Sequence, residues 1–419
     1  MAQIYSAKYL YTGDAPPIVG GALLDVNGKV AAVGTLAELK KAYPGTAVTE
    51  YADAVLLPLL INAHTHLELT DFPDWAIQSG ETEEPEDFVD WILRLIRVKR
   101  SLKKKHYNQS IANGIEQSIA SGTGAVGDIM SQHAIRKAYK NSPLRGVLFL
   151  ETLGRDPGII SRVRQELREI LCETKIGKLT LGISPHSPYT ISADYLEEIY
   201  VKCQKKKLPC TTHLAESSAE VDFIESSAGD LAKKLYPYIG WEYLIPAPAS
   251  CRPTEYLQQH QGLFAGNLLV HGVQLDTTEI ESLANNGMSL VLCPRSNARL
   301  KVGKAPIKEL RAAGVNLSLG TDSLASNESL SIWDEMAFAH QWFDGAVDAP
   351  TLLQMATLQG AQALGLETKM GTLEPGKLSS FQVLRPESVV GESELLDYLV
   401  APGRTAEIQQ VYHQGRPQL

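Results

Sequence analysis

The sequence predicts an α/β protein, a (β/α)8 barrel of the TIM type with a β-rich segment at each end. Three observations carry this prediction. Apolar runs alternate with amphipathic helical stretches through the middle of the chain, which is typical of a parallel sheet surrounded by helices. Short β-like runs broken by glycine and proline occupy both ends. Five histidines lie at the predicted carboxyl ends of barrel strands.

Length and composition agree with this architecture. The chain has 419 residues, of which 44% are apolar and 21% charged, a balance typical of a globular protein. A barrel needs about 250 residues or more, so the chain has room for one barrel and a small additional module. We place the N-terminal module at residues 1–58, the barrel at 59–369 and the C-terminal segment at 370–419.

Charge and hydropathy exclude several classes of partner. The net charge is −9 and the only basic run is the short stretch 99–105, so we expect no nucleic-acid binding. No apolar run reaches the roughly 18 to 20 residues of a membrane span, and the N-terminus lacks a signal layout, so we expect a cytoplasmic protein with no membrane contact. The sequence does not decide the oligomeric state, and a homodimer is one option. Five cysteines without a Cys-x-x-Cys pair indicate reduced thiols.

The N-terminal segment begins with a hairpin. Ala22–Val26 and Lys29–Val33 are apolar β-like runs separated by Asn27-Gly28, the residue pair that two-residue hairpin turns prefer. At the other end of the chain, Phe381–Leu384 and Ile408–Tyr412 are again short and β-like. Both ends are therefore predicted to be β-rich.

The middle of the chain supplies eight strand candidates, with helix-like segments between them. One such segment is 88–98, where aromatic and aliphatic residues recur on one helical face. The candidates are Leu56–Ala63, Gly124–Ile129, Leu144–Leu153, Leu179–Pro185, Pro209–Leu214, Leu268–Gly272, Met288–Cys293 and Val315–Thr321.

Residues whose side chains can bind metal or act in catalysis follow these strands at their carboxyl ends. In a barrel these ends converge on one face, where catalytic groups are drawn from several strands. We therefore expect a shared site. Its candidates are His64, His66, Asp128, Glu151, His186, His213, His271, Ser296, Asn297 and Asp322.

A metal site is the first interpretation of this set. Because alternate strand residues share a face, His64 and His66 should point the same way into the barrel mouth. Together with His213, His271 and Asp322 they offer imidazole and carboxylate ligands suited to Zn²⁺ or Fe²⁺, with a position left for water. A metal-free binding protein would have no need of this set.

Two further residues would complete the chemistry. Glu216 lies three positions after His213 and could move a proton between the activated water and the substrate, although an isolated glutamate there would be a solvated first-turn residue. His271 is either a ligand or a hydrogen-bond partner of that water. Asp322 could alternatively be a helix N-cap. His186, in a loop stiffened by two prolines, is expected to contact substrate or to be a structural histidine.

One sequence motif matches a dinucleotide-binding fingerprint but lies in the wrong structural context. Residues 122–127 match G-x-G-x-x-G, but a helical stretch precedes them and β-like residues follow. A dinucleotide fingerprint needs the opposite order, so we interpret the segment as a helix-to-strand turn.

The set His64-Thr-His66, His213, His271 and Asp322 resembles the amidohydrolase superfamily. The closest branch holds mononuclear-metal aminohydrolases such as cytosine deaminase, methylthioadenosine/adenosylhomocysteine deaminase and s-triazine hydrolases, and aminofutalosine deaminases also belong to the superfamily. Family-like stretches occur at 62–67, 184–190, 293–297, 320–323 and 371–377. The resemblance implies that the two β-rich ends pack together as one composite β-sandwich, with the barrel inserted between its halves.

The resemblance also implies roles. One divalent metal, Zn²⁺ by first choice and Fe²⁺ as the alternative, would be held by His64, His66, His213 and Asp322, with His271 beside them. Glu216 would relay protons, so that Glu216, His271 and Asp322 form the catalytic set. No barrel strand offers a lysine that could be carboxylated to bridge two metal ions, which implies a single ion.

The expected reaction is hydrolytic deamination of a small heteroaromatic substrate, with release of ammonia; removal of chloride or alkylamine from an s-triazine is the alternative. His186, Trp91, Glu216 and Arg295 are the expected substrate contacts. Family deaminases of methylthioadenosine carry a Pro-x-Glu after a Trp-Leu, whereas Trp91-Ile92 is followed by no such glutamate. This departure argues against a simple ribose contact of that kind.

Arginines near the predicted mouth suggest a carboxylate on the substrate. Arg295, Arg155 and Arg97 carry guanidinium groups that can bind a carboxylate bidentately, although ordinary surface salt bridging is the first explanation for any one of them. An adenosine-like substrate with a benzoate-like carboxylate satisfies both features. We therefore rank 6-amino-6-deoxyfutalosine, a nucleoside of the menaquinone pathway, first and methylthioadenosine or adenosylhomocysteine second.

Overall fold

The barrel is built from eight parallel strands in chain order. The computed structural model describes residues 2–418, so the terminal residues of the predicted 1–58 and 370–419 segments lie outside it. Neighbouring strands pair in sequence, and a parallel bridge between Thr65 and Asp322 joins the last strand to the first. The barrel strands are Leu60–Thr65, Thr123–Met130, Arg145–Thr152, Leu179–Pro185, Cys210–Leu214, Asn267–His271, Ser289–Leu292 and Asn316–Leu319. The predicted (β/α)8 barrel is confirmed.

The strands are apolar because both of their faces are covered. Ile61, Phe149, Val270 and Val291 come from strands on opposite sides of the barrel, yet they belong to one buried cluster. Such a cluster is possible only inside the barrel. It fills the interior beneath the polar residues at the carboxyl ends of the strands.

The helices surround the barrel and cover its ends. The longest helix is Lys104–Ala120. The helix Phe88–Arg100 is capped at its N-terminus by Asp87, whose side chain accepts a hydrogen bond from the Asp90 backbone N–H (2.9 Å). The other α-helices are Leu36–Ala42, Phe72–Gln78, Pro157–Ile170, Ala193–Lys206, Ser218–Ser226, Tyr236–Tyr238, Pro253–Gln259, Thr277–Asn285, Pro294–Arg299, Ile307–Ala312, Ile332–Trp342, Ala349–Met355, Leu358–Ala363 and Leu395–Leu399, with a π-helical turn at Leu231–Leu235.

Both ends of the chain contribute to a second sheet of eight strands, which confirms the composite β module. Its strands are Ala2–Leu10, Ile18–Val19, Gly21–Val26, Lys29–Thr35, Ala47–Pro58, Phe381–Leu384, Ile408–His413 and Arg416–Pro417. The Phe381–Leu384 strand pairs with Ala47–Pro58 and so joins the two ends. The sheet curls strongly, since the rings of Tyr5 and Tyr412 come within 4.9 Å although two strands separate theirs.

The predicted hairpin is confirmed in detail. Val26 pairs with Lys29, and Asn27 and Gly28 have φ angles of 55° and 81°. Two consecutive positive φ values define the type I′ turn, which matches the right-handed twist of the flanking strands.

One predicted strand boundary is wrong. The run Leu56–Ala63 reads as one apolar strand, but Leu56 pairs with Leu10 and Val383 in the terminal sheet, whereas the barrel strand starts at Leu60. The chain passes from the terminal sheet into the barrel at Leu59. Because both strands are fully buried here, their apolar pattern continues through the junction and hides it.

The turn at 122–127 is confirmed as a helix-to-strand connection. The Lys104–Ala120 helix ends just before it, and Thr123–Met130 is the second barrel strand. In residues 2–418 no helix combines the length and the apolar character needed to cross a membrane.

Candidate metal centre and active site

Four histidine rings and one carboxylate meet at the mouth of the barrel. The ring centroids of His64 and His66 are 5.0 Å apart, and those of His64 and His213 are 4.9 Å apart. His271 stacks on His213 with 5.4 Å between centroids. Strands one, five, six and eight thus bring together the residues that the sequence predicted to share a site.

Strands one and eight hold the two ends of this cluster against each other. The Asp322 backbone N–H donates to the His64 carbonyl oxygen (3.1 Å), and the Thr65 hydroxyl donates to the Asp322 carbonyl oxygen (3.0 Å). The Asn62 side chain bonds both the hydroxyl and the N–H of Thr321 (2.7 and 3.1 Å). The closure of the barrel therefore positions its first and last functional side chains.

Three of the histidines fit a divalent metal ion. Ligand atoms of His64, His66 and His213 all lie within 4.8 Å of one another. The buried Nε2 atom of His64 makes no hydrogen bond within residues 2–418, which would be costly unless another group used it. Nδ1 of His213 bonds the His186 carbonyl oxygen (2.8 Å), so it carries the proton and leaves Nε2 free as a ligand. These donors are suited to a divalent ion.

Asp322 faces this triad through one oxygen and is anchored through the other. Its Oδ1 lies 3.5 Å from Nε2 of His64 and 3.4 Å from Nε2 of His66. Its Oδ2 accepts hydrogen bonds from the hydroxyls of Ser296 (2.7 Å) and Ser326 (2.8 Å). Burial opposes ionisation of Asp322, but His64, His66 and His271 hold its pKa well below the usual range.

The alternative interpretation of Asp322 as a helix N-cap is wrong. The helix that follows starts at Ile332 and is preceded by Ser331. Asp322 itself has a φ of 55°, an uncommon left-handed conformation for a residue other than glycine or asparagine. This conformation turns the side chain into the barrel mouth.

Glu216 lies beside the cluster and is almost completely buried. Its Oε1 is 3.6 Å from Nε2 of His271. The backbone N–H groups of Ala215 and Glu216 both donate to the Glu220 carboxylate (3.0 and 2.9 Å), which fixes the loop. Burial, followed by the charges of Asp322 and Glu220, raises the pKa of Glu216 well above the ordinary value.

His271 is oriented from behind. Its Nδ1 lies 3.0 Å from Oδ1 of Asn297, an acceptor, so Nδ1 carries the proton and Nε2 faces Glu216. Its φ of 74° bends the chain at the end of strand six. The ring lies beside the triad of ligand atoms rather than within it. This position is compatible with a hydrogen bond to an attacking water.

His186 lies next to His213, with 4.9 Å between ring centroids. Its Nδ1 is within 3.0 Å of the hydroxyls of Ser187 and Thr190. The loop is further fixed by Arg155, whose guanidinium donates to the carbonyl oxygens of Pro188 (3.1 Å) and Tyr189 (3.5 Å). One edge of the His186 ring is therefore held and the ring lines the cavity.

The cluster forms the floor of a cavity of about 470 Å³, a volume within the range of small-molecule sites. One wall is the Phe88–Arg100 helix, which presents Trp91, Ile92, Leu95 and Ile96. The Trp91 indole N–H donates to the Ala325 carbonyl oxygen (2.9 Å), so the ring offers its apolar surface to the cavity. Trp91 thus lies where the sequence placed a substrate contact.

The predicted role of Arg295 as a substrate contact is not supported by its position. Its Nε donates to Oδ1 of Asn327 (2.9 Å), and one of its terminal nitrogens lies 3.8 Å from the Glu328 carboxylate. It is absent from the described lining of the cavity. The short Pro294–Arg299 helix turns Ser296 and Asn297 toward the site and carries Arg295 to the other side.

The other two predicted arginines are also engaged elsewhere. Arg97 forms a bidentate pair with Glu81 (2.6 and 2.8 Å) on the exposed face of its helix. Arg155 supports the loop that carries His186. Ordinary salt bridging therefore describes the contacts of Arg97, whereas Arg155 is buried and bonds backbone carbonyl oxygens.

Two acids near the cluster, Glu68 and Glu151, have roles that the sequence did not assign. Glu68 is buried and accepts hydrogen bonds from the backbone N–H groups of Ser131 (3.1 Å) and Gln132 (3.0 Å), while Lys99 lies 3.8 Å from it. Glu151 lines the cavity. Burial opposes ionisation of Glu151, but His186 and Lys99 lower its pKa below the usual value. Glu68 stands two residues after His66, the one signal that could have identified it.

Asp128 is structural. Its carboxylate accepts hydrogen bonds from the Leu67 backbone N–H (2.8 Å) and from the Tyr139 hydroxyl. Burial, the largest cause, raises its pKa to about 8. It holds the loop that follows His66 and does not line the described cavity.

Comparison with known proteins agrees with this site. The profile of the Amidohydrolase family matches residues 55–417. An aminodeoxyfutalosine deaminase of Deinococcus radiodurans is 31% identical over 376 residues, which cover 87% of this chain and 86% of the relative. A 5-methylthioadenosine/S-adenosylhomocysteine deaminase of Syntrophobacter fumaroxidans is 29% identical over 425 residues, covering 94% and 87%.

A solved structure shares the whole fold. The adenosine deaminase of Xanthomonas campestris with bound zinc superposes with a TM-score of 0.82 at 24% identity, covering 100% of this chain and 92% of that chain. Since the family profile spans the barrel and the C-terminal strands, the resemblance that the histidine pattern suggested is confirmed. The chain belongs to the amidohydrolase family and is a hydrolase that acts on C–N bonds.

Proposed function

We propose that this protein is a metal-dependent deaminase of an adenosine-like nucleoside, with 6-amino-6-deoxyfutalosine as its first substrate. The observation that carries the proposal is the joint presence, in one cavity, of the histidine and aspartate cluster, the buried Glu216 and the apolar helix wall. Such a cavity combines hydrolytic groups with a surface that can accept a flat heteroaromatic ring.

The metal would be held by His64, His66 and His213, with Asp322 completing the set through Oδ1. Zn²⁺ is the first choice, since three imidazoles and one carboxylate suit it, and Fe²⁺ is the alternative. When bound, such an ion lowers the pKa of water from about 15.7 to about 7 and so makes a nucleophile available at neutral pH.

Glu216 would move the protons of the reaction. Water adds to the ring carbon that carries the amino group, a C–O bond forms, and the electrons of the ring C=N bond pass to the ring nitrogen. Glu216 protonates that nitrogen, and its raised pKa favours the acid form that this step needs. It then accepts the proton that the water releases.

The second half of the reaction expels the amine. Asp322 or His271, which both lie at the histidine cluster, would accept the remaining proton of the added hydroxyl. The amino group takes up this proton, the C–N bond breaks, and ammonia leaves as the C=O bond forms. Atoms balance as one water consumed and one ammonia released.

His186 and Trp91 would orient the nucleoside. His186 lies beside the metal triad with one edge held by Ser187 and Thr190, so its other edge can bond a sugar or ring group. Trp91 supplies an apolar ring surface. The relative from Deinococcus supports the ranking of the carboxylate-bearing nucleoside first, and the relative from Syntrophobacter supports methylthioadenosine or adenosylhomocysteine as second.

The test is ammonia release with purified enzyme of measured metal content. We expect turnover of 6-amino-6-deoxyfutalosine with a higher kcat/KM than methylthioadenosine, adenosylhomocysteine or adenosine. A higher value for methylthioadenosine would favour the second substrate. Release of chloride from a chlorotriazine, without turnover of any nucleoside, would refute nucleoside deamination.

A further inference from the structure

The cavity contains two cations, and they stand at one end of its apolar wall. Trp91, Ile92, Leu95 and Ile96 line the cavity at helical spacing, and the next turn of the same helix places Lys99 and Arg100 there. At 1.5 Å per residue the wall runs roughly 14 Å from Trp91 to Arg100. A ligand lying along it would meet apolar surface first and positive charge last.

Four acids line the cavity, and among residues 2–418 no lysine or arginine other than Lys99 and Arg100 does so; the acids are Glu68, Glu151, Glu216 and Asp322. Glu216 and Asp322 lie at the histidine cluster on the floor, whereas Glu68 lies 3.8 Å from Lys99. In the proposed function the reacting ring occupies the metal cluster on the floor, so a carboxylate elsewhere on the ligand needs a partner away from the floor. The charge distribution therefore favours an orientation in which an anionic group points away from the reacting centre and toward the end of the helix.

The two cations differ in how far they are already engaged. Nζ of Lys99 donates to the Ser131 hydroxyl (3.1 Å) and lies 3.8 Å from the Glu68 carboxylate. Arg100 stands over the ring of Tyr238, 4.6 Å from its centroid, and has no carboxylate within 4.0 Å among the described residues. Its guanidinium is thus positioned by an aromatic ring, and its N–H donors remain available.

The segment that supplies Tyr238 is itself fixed to the helix. Lys234 pairs with Asp87 (2.9 Å) and Asp90 (3.3 Å) at the start of the helix, and Leu235, Ile239 and Trp241 line the cavity beside it. The segment is thus attached to the start of the helix through Lys234 and reaches the end of the helix through the contact of Tyr238 with Arg100.

From this geometry we propose that Arg100 binds the carboxylate of the substrate and sets the preference for a carboxylate-bearing nucleoside over a neutral one. The inference rests on the proposed function and assigns to Arg100 the role that the sequence assigned to Arg295. Arg100 is a specificity-determining residue, and Tyr238 is a positioning residue that acts through it.

The experiment compares kcat/KM for 6-amino-6-deoxyfutalosine and methylthioadenosine in the wild type, Arg100→Gln and Arg97→Gln. Arg97 is the matched control, because it lies on the same helix and is bonded to Glu81 outside the cavity. We expect Arg100→Gln to lower kcat/KM for the carboxylate substrate by about 10- to 100-fold, mainly through KM, the usual effect of losing a hydrogen bond to a charged group. Methylthioadenosine turnover should change less than about twofold in both variants.

Two further measurements separate specificity from structure. Arg100→Lys should restore part of the preference, and calorimetric affinity for the deaminated, carboxylate-bearing product should fall in Arg100→Gln as KM rises. Equal losses on both substrates, or an unchanged ratio, would overturn the assignment of Arg100. A wild type with no turnover of the carboxylate nucleoside would instead overturn the proposed function, and this outcome appears before any substitution is made.

Discussion

The floor of the cavity and its helical wall are built in different ways. Floor residues such as His64 and Asp322 are buried at strand ends and are held by backbone bonds across the barrel closure. Wall residues such as Trp91 and Arg100 lie on a helix outside the barrel; Trp91 is half-buried and Arg100 is exposed. The floor is therefore rigid and suited to chemistry, whereas the wall can vary without disturbing the barrel and is suited to selecting a substrate.

The largest expected effect is on the floor. His64→Ala or Asp322→Ala should remove most of the metal and nearly all activity, because each deletes a donor from a site that holds one ion. Metal analysis by mass spectrometry and ammonia release check this together. His340→Ala, which removes a histidine bonded to the Val347 carbonyl oxygen away from the site, is the control. A full equivalent of tightly held metal in both floor variants would contradict the ligand assignment.

The next effect tests chemistry without metal loss. Glu216→Gln should keep the ion and the fold while it lowers kcat by about two to four orders of magnitude, the usual contribution of a positioned general acid or base. The amide cannot accept and return the proton that the reaction moves. Metal content, thermal melting and kcat are measured on the same sample. Turnover close to that of the wild type would show that another group carries the proton.

A smaller effect should come from the residues behind Asp322. Ser296→Ala removes one of the two hydroxyls that anchor Oδ2, and we expect about a tenfold loss in metal affinity or kcat, at the lower end of what such supporting contacts contribute. Ser329→Ala is the control, since Ser329 bonds Asp334 outside the cavity. Metal titration against a competing chelator gives the affinity. An unchanged affinity and an unchanged kcat would mean that Ser326 alone fixes the carboxylate.

The same division explains how much the sequence could predict. Strand-end histidines are readable because a buried strand leaves a clear apolar run and the polar residue at its end stands out. The junction between the two sheets at Leu59 could not be predicted, because Leu56 and Leu60 belong to one continuous apolar run although they lie in different sheets.

The directions of side chains on helices and loops could not be predicted from the sequence either. Arg295 and Ser296 are neighbours, yet the short Pro294–Arg299 helix sends one toward Asn327 and the other toward Asp322. The periodicity of 88–98 predicted a helix with an apolar face, and the family resemblance placed Trp91 at the substrate, but neither indicated that the helix would bring Lys99 and Arg100 to the cavity. Such placement depends on tertiary packing, which a local pattern does not contain.

The smallest expected effect on substrate preference is that of a substitution at Arg295, which lies outside the cavity. Arg295→Ala should leave the preference for the carboxylate-bearing substrate within about twofold of the wild type, because the Arg295 guanidinium bonds Asn327 and stands near Glu328 outside the cavity. A modest loss of stability, about 1 kcal/mol, is expected from the deleted hydrogen bond to Asn327, whose amide also bonds the Thr321 carbonyl oxygen (2.8 Å). Thermal melting and the kcat/KM ratio for the two nucleosides separate these effects. If Arg295→Ala abolished the preference while Arg100→Gln kept it, the substrate carboxylate would lie on the strand-seven side of the mouth, and the helical wall would not be the selective region.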